Sequence, residues 1–220
     1  MGKKVIIIHT SFISVDTLKK LFAEIVPEVE VYNIVDDTLL SEIMQSGGVT
    51  DAIINRYCAY AVQAERTGAD MIFNQCSSIG PAADVAAQML GIPVLKVDQA
   101  MAEEAVEKGS KISVVATIGT TLQPSVALIE SVARDIGKTV EITPVLLPSA
   151  YEALFLQGDT KTHNRIIIEK IREIEQTSDV IVLAQGSMVT LLNELTDVRV
   201  PLLTSPRSGV TRVRNVLCLD

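Results

Sequence analysis

The chain alternates short β-branched runs with longer stretches of helical periodicity. Strand-like runs fall at Lys4–His9, Val29–Ile34, Met71–Phe73, Pro93–Lys96, Lys111–Ala116, Val140–Thr143, Val180–Ala184 and Val200–Leu203. They read as apolar on both faces, the pattern of strands covered by helices on both sides. Between them, helices are predicted at Asp16–Ile25, Asp51–Thr67, Pro81–Leu90, Glu103–Lys108, Ser125–Ile136, Thr162–Gln176 and Met188–Leu195. Gly68 and Gly91 stand where C-terminal caps are expected. Pro81, Pro124 and Pro206 fall near first turns, where a missing N–H does no harm. Such alternation predicts an α/β fold.

Three segments recur in order at a nearly constant offset. Lys4–Thr10 aligns with Lys111–Thr117 at 107 residues, Ala69–Cys76 with Ser178–Gln185 at 109, and Ile92–Leu95 with Val200–Leu203 at 108. One such match is weak, because apolar strands look alike; three in order point to an internal repeat. The expected architecture is two pseudo-symmetric three-layer α/β/α halves with mostly parallel sheets. Residues 1–97 plus 205–220 form the first half and 98–204 the second. Ligands in such sheets bind beyond the carboxyl ends of strands, so the expected active site is a cleft between the halves.

Composition narrows the function. Nearly half the residues are hydrophobic (48%), ample for a core. No apolar run approaches the ~20 residues of a membrane span. The start, Met1-Gly2-Lys3-Lys4, runs straight into a strand and reads as neither a signal peptide nor a myristoylation site. A net charge of −8 argues against nucleic acid as a partner. The three cysteines, Cys58, Cys76 and Cys218, read as reduced cytoplasmic thiols. His9 and His163 lie far apart without metal-ligand spacing, so no metal site is expected. A homo-oligomer, a dimer first, is the expected assembly.

The strongest chemical signal is Asn74-Gln75-Cys76-Ser77-Ser78-Ile79-Gly80-Pro81, at a strand end that opens a helix. Free N–H groups there suit a carboxylate, and the positive helix end favours a thiolate. Ser77 and Ser78 can cap the helix or donate to a ligand. The bland alternative is that Cys76 is a small buried hydrophobe. Polar neighbours and strand-end placement argue against that here, whereas Cys58 and Cys218 read as core cysteines in amphipathic helices.

A second loop, Ala116–Ser125, again joins a strand to a helix. Thr117, Thr120 and Thr121 offer hydroxyls for a carboxylate or for N-capping. The equivalent loop of the first half offers Thr10 and Ser11, with the same alternatives. In the third loop, Leu183–Met188, Gln185 falls in register with Cys76 by the repeat. Gly186 permits close backbone approach to a ligand, and Ser187 and Met188 follow. Gln185 can hydrogen-bond but is no acid or base at ordinary pH. His163 reads as a solvated helix start and Arg56 as a surface arginine; Asn55 and Glu152 carry still less signal.

Together, Asn74–Ser78, Ala116–Thr121, Val182–Met188 and the closing Leu203–Val210 resemble the aspartate/glutamate/hydantoin racemase superfamily over essentially the whole chain. The resemblance implies cofactor-independent proton transfer at the carbon next to a carboxylate of a small acid. In the two-cysteine members each half supplies one thiol. Cys76 matches the first of these, and Gln185 stands at the position of the second. The reading is therefore an isomerase whose single strand-end thiol serves proton transfer or nucleophilic attack at the carbon next to a carboxylate or carbonyl of a small acid. Cys76, Gln185 and Ser187 are its catalytic candidates; Thr10, Ser11, Asn74, Ser77, Ser78, Thr117, Thr120, Thr121, Gly186 and Met188 are its substrate-binding candidates. A decarboxylase of a malonate-like acid and a silent carboxylate-binding protein are the alternatives.

Overall fold

Strand β1 (Lys4–His9) is a β-branched run whose alternate residues serve two separate cores: Ile6 and Ile8 one, Val5 and Ile7 the other. This fixes a layered α/β architecture, since a strand buried on both faces needs helices on both. A computed structural model describes residues 2–219. Two compact units result: one comprises residues up to Gln99 together with the stretch from Pro206, the other Ala100–Ser205.

In the first unit the chain runs through α1 (Val15–Ile25), β2 (Glu30–Val35), α2 (Thr38–Ser46), α3 (Asp51–Arg66), β3 (Met71–Asn74), α4 (Gly80–Met89) and β4 (Val94–Lys96). Helix α5 (Gln99–Lys108) leads into the second unit. There follow β5 (Lys111–Ala116), α6 (Gly119–Asp135), β6 (Glu141–Leu146), α7 (Pro148–Tyr151), α8 (Thr160–Ile174), β7 (Val180–Leu183) and β8 (Leu202–Thr204). Helix α9 (Ser205–Val216) returns to the first unit. The sheets are β2-β1-β3-β4 and β6-β5-β7-β8, and every pairing in both is parallel. The same order four strands later is the internal repeat in three dimensions.

Each sheet is sandwiched. In the first unit, Leu39, Ile43, Ile53, Tyr57 and Ala82 cover one face, and Leu18, Phe22, Val210, Val213 and Leu217 the other. Phe22 meets Phe73 edge to face at 5.4 Å between centroids. In the second unit, Val114 and Val182 face α5 and α6, while Val115, Ile181 and Leu183 face α8. Each fully buried aliphatic side chain contributes roughly 1.5–3 kcal/mol, so the central strands carry much of the stability.

Two carboxylates start the central strands in equivalent fashion. Asp70 accepts the Lys4 N–H at 2.8 Å. Asp179 accepts the N–H groups of Ser110 and Lys111, both at 2.8 Å. These bonds hold both carboxyls below the usual carboxylate range.

Several expectations need correction. Edge strands β2 and β6 are largely exposed, because an edge has only one neighbour and thinner helix cover. Pro144 is tolerated on β6 for that reason. Helix α6 begins at Gly119, which places Pro124 inside it instead of in its first turn. Gly68 does take the left-handed conformation beyond α3 (φ 81°). Gly91 does not; its N–H instead donates to Glu65. Helix α2 and the α7 region, which runs into a π-helical turn at Glu152–Leu156, were not anticipated. The helix expected at Met188–Leu195 is instead a 3-10 segment, Gly186–Glu194, with Leu195 as its C-cap. His163 is buried on α8, not solvated, and Cys218 is exposed just past α9, not in a core. Arg56 is half-buried and paired with Asp36 and Glu42.

Candidate active site

In each sheet the strand order reverses between the two central strands, β1 and β3 or β5 and β7. Beyond the carboxyl ends of such a pair the connections diverge to opposite faces and leave a crevice. The candidate residues gather at these two places, one in each unit.

In the first unit, Ile8 pairs with Asn74, so the end of β1 lies beside the end of β3. Thr10 is buried and Ser11 half-buried. Neither caps a helix, because α1 starts only at Val15; Ser14 holds the N-cap position without a side-chain cap bond. Its hydroxyl sits 3.3 Å from His9 Nδ1, while His9 Nε2 meets Asn33 Oδ1 at 2.8 Å. Burial pushes the imidazole below its ordinary pKa.

Two residues past β3, Cys76 takes an extended conformation (φ −121°, ψ 123°) and opens the 3-10 turn Ser77–Ile79 that feeds α4. The Asn74 amide donates to the Cys76 carbonyl at 3.0 Å. Cys76 is half-buried and packs against the core that contains Tyr57 and Ile79. The Tyr57 hydroxyl, fully buried without a hydrogen-bond partner, lies within electrostatic reach of it. The oxygens Asn74 Oδ1 and Gln75 Oε1 are buried and accept no hydrogen bond. Ser77 and Ser78 are buried, and the N-cap position of α4 falls on Ile79, not on either serine.

The second unit repeats the geometry with different chemistry. Two residues past β7, Gln185 is extended (φ −132°, ψ 136°) and opens the 3-10 segment from Gly186. Its Oε1 accepts both the N–H and the hydroxyl of Thr117, at 2.6 and 2.9 Å. Gly186 is exposed and Ser187 half-buried. Met188 must be withdrawn as a ligand contact: it is fully buried in the core beside Leu183 and Leu191. Thr120 and Thr121 lie within the first turn of α6 rather than at its cap, which is Ile118. The Thr120 hydroxyl is buried without a partner.

The residue the sequence reading passed over is Asp98, just beyond β4. It is 2% exposed, and burial pushes its carboxyl above the usual range. It carries a hydrogen bond with the Ser77 side chain, while its Oδ1 is unpartnered. Only its position, three residues after the repeated Ile92–Leu95 segment, could have drawn notice.

A family model for Asp/Glu/hydantoin racemases matches residues 4–213. The chain belongs to the Asp/Glu/hydantoin racemase family. Solved structures share the fold of this racemase-family chain. A candidate Asp/Glu racemase from Yersinia pestis superposes with a TM-score of 0.78 at 16% identity, covering 98% of this chain and 99% of its own. Glutamate racemase from Francisella tularensis, solved with D-glutamate, gives 0.74 at 16% identity over 99% and 81%. Allantoin racemase from Klebsiella pneumoniae gives 0.67 at 17% identity over 99% and 89%. No curated protein sequence matches the chain. Among the described residues, no helix is long and apolar enough to cross a membrane.

Proposed function

We propose that this racemase-family chain is a cofactor-independent isomerase that moves the proton on the carbon next to a carboxylate of a small acid, with Cys76 as its base. The observation that carries the reading is the place of Cys76: half-buried, two residues past β3, beside the β1 end where the strand order reverses. A thiolate there can take a Cα proton, and the Ser77 N–H with the N–H and hydroxyl groups of Thr10, Ser11 and Ser78 would bind the carboxylate and the developing enolate.

In this reading Thr117, Thr120, Thr121, Gln185, Gly186 and Ser187 are the candidate polar contacts to a substrate at the equivalent strand ends of the second unit. Gln185 is neither acid nor base, so a water in its place, oriented by Gln185 and Ser187, would carry a proton. The unpartnered oxygens of Asn74 and Gln75 favour substrates with an amino or ureido N–H, the kinds of molecule the glutamate and allantoin racemases are named for. The working protein is taken to be cytoplasmic and a homo-oligomer.

The test is deuterium incorporation at Cα in heavy water over a panel of aspartate, glutamate, allantoin, hydantoins and maleate, with native protein and with Cys76→Ala. A base contributes about 10²–10⁴-fold, so exchange by the variant should fall by at least that lower figure. A variant that exchanges at the native rate would remove Cys76 from the chemistry. Release of carbon dioxide without exchange would replace isomerisation by decarboxylation.

A further inference from the structure

The turn that presents Cys76 is weakly held by its own backbone: the Ile79 N–H reaches the Cys76 carbonyl at a long 3.3 Å. The Gly80 N–H adds a bond to the Ser77 carbonyl, and side chains add to this hold. Asn74 does so from one side through the Cys76 carbonyl. From the other, the Ser77 hydroxyl is hydrogen-bonded with Asp98.

Asp98 is itself rigidly placed. The Val97 N–H donates to the Asn74 carbonyl at 2.9 Å, which clamps the end of β4 to the end of β3. From behind, Gly209 on α9 lies so close that a Cβ there would stand 2.3 Å from the Val97 carbonyl oxygen. A carboxyl held this deep with one oxygen unpartnered is unfavourable for folding alone. The nearby charges, Lys96 and Asp84, are paired with each other at 2.6 Å.

We propose that Asp98 is a positioning residue for Cys76, acting through the Ser77 hydroxyl to hold the thiol in its half-buried place. This rests on Cys76 being the reactive thiol, as argued above. Loss of the tie frees the turn, so the thiol becomes more accessible to a bulky reagent yet worse placed for its own reaction.

The experiment is the rate of Cys76 alkylation by iodoacetamide in the full chain, resolved by mass spectrometry from Cys58 and Cys218. Buried Cys58 reports the integrity of the fold, and exposed Cys218 the reagent. Losing one hydrogen bond corresponds to about fivefold, so Asp98→Ala and Ser77→Ala should each speed Cys76 alkylation by about that factor. The double variant should gain nothing further, because both remove one link. Asp98→Asn, whose amide oxygen still accepts from Ser77, should match the native rate within about twofold. Cys58 should stay slow throughout.

Unchanged Cys76 rates, additive single effects, or Cys76 and Cys58 rising together would each overturn the proposal. So would Asp98→Asn behaving like Asp98→Ala. Should Asp98→Ala not fold, Ser77→Ala and Asp98→Asn still decide. The readout needs no turnover: a Cys76→Ala protein that keeps exchanging would end the isomerase reading while these rates still judge the Asp98–Cys76 link.

Discussion

Gln185 Oε1 accepts both the backbone N–H and the side-chain hydroxyl of Thr117, tying the end of β7 to the end of β5. A backbone N–H can only donate, so the atom facing it must be the amide oxygen. The Gln185 NH₂ is thereby left as a donor. The residue in register with Cys76 thus closes a strand end through its side chain.

Gln185→Ala should therefore lower stability as well as any activity. It leaves the buried Thr117 N–H without its acceptor, a loss of about 1–3 kcal/mol. Gln185→Glu keeps the acceptor and should recover most of that stability. Urea unfolding of both variants checks this; an alanine variant as stable as native would show that the Thr117 tie contributes nothing.

His9 should give the fold a pH dependence on the acid side of neutrality. Burial lowers its pKa in the folded chain below the ordinary 6.5. The unfolded chain then binds more protons between the two values, so stability is fully present above about pH 6.5 and falls as pH drops towards the folded value. His9→Gln should flatten that slope. A melting temperature that tracks native pH for pH in both proteins would exclude His9 as its source.

Asp70 acts in a lower window. Its pKa is depressed by the Lys4 N–H and the Lys3 ammonium, so its contribution is present above the unfolded value near 3.9 and is lost as pH falls below it. Asp70→Asn should be less stable than native at neutral pH, and the two curves should converge in acid. Curves that stay parallel down to the acid transition would show the carboxylate to be uninvolved.

Gly209→Ala tests how tightly α9 closes on β4. In an ordinary helix this change gains up to about 1 kcal/mol. Here the new methyl meets the Val97 backbone oxygen at 2.3 Å, and backbone cannot swing aside. Overpacking typically costs about 1–3 kcal/mol, so the variant should be net destabilised, with Cys76 alkylation altered because Asp98 follows Val97. A stabilised variant would mean that α9 can shift without consequence.

The β-branched runs Lys4–His9, Met71–Asn74, Lys111–Ala116 and Val180–Leu183 were legible as strands because they are buried on both faces, and a strand so buried needs nothing but apolar residues. The repeat, the strand-end position of Cys76 and its correspondence with Gln185 followed from the same runs. Helix α2 escaped because its short stretch has only Leu39 and Ile43 as a buried stripe. Met188 misled because a residue next to a site loop looks the same in sequence whether it points to ligand or core.

The order of residues along the chain determined the α/β class, the two related halves and the single prominent thiol, since these depend on local periodicity. Tertiary structure alone decided that Gln185 holds Thr117, 68 residues away, and that Asp98 meets Ser77. Such bonds depend on which strand ends become neighbours in a sheet, and spacing along the chain does not encode that.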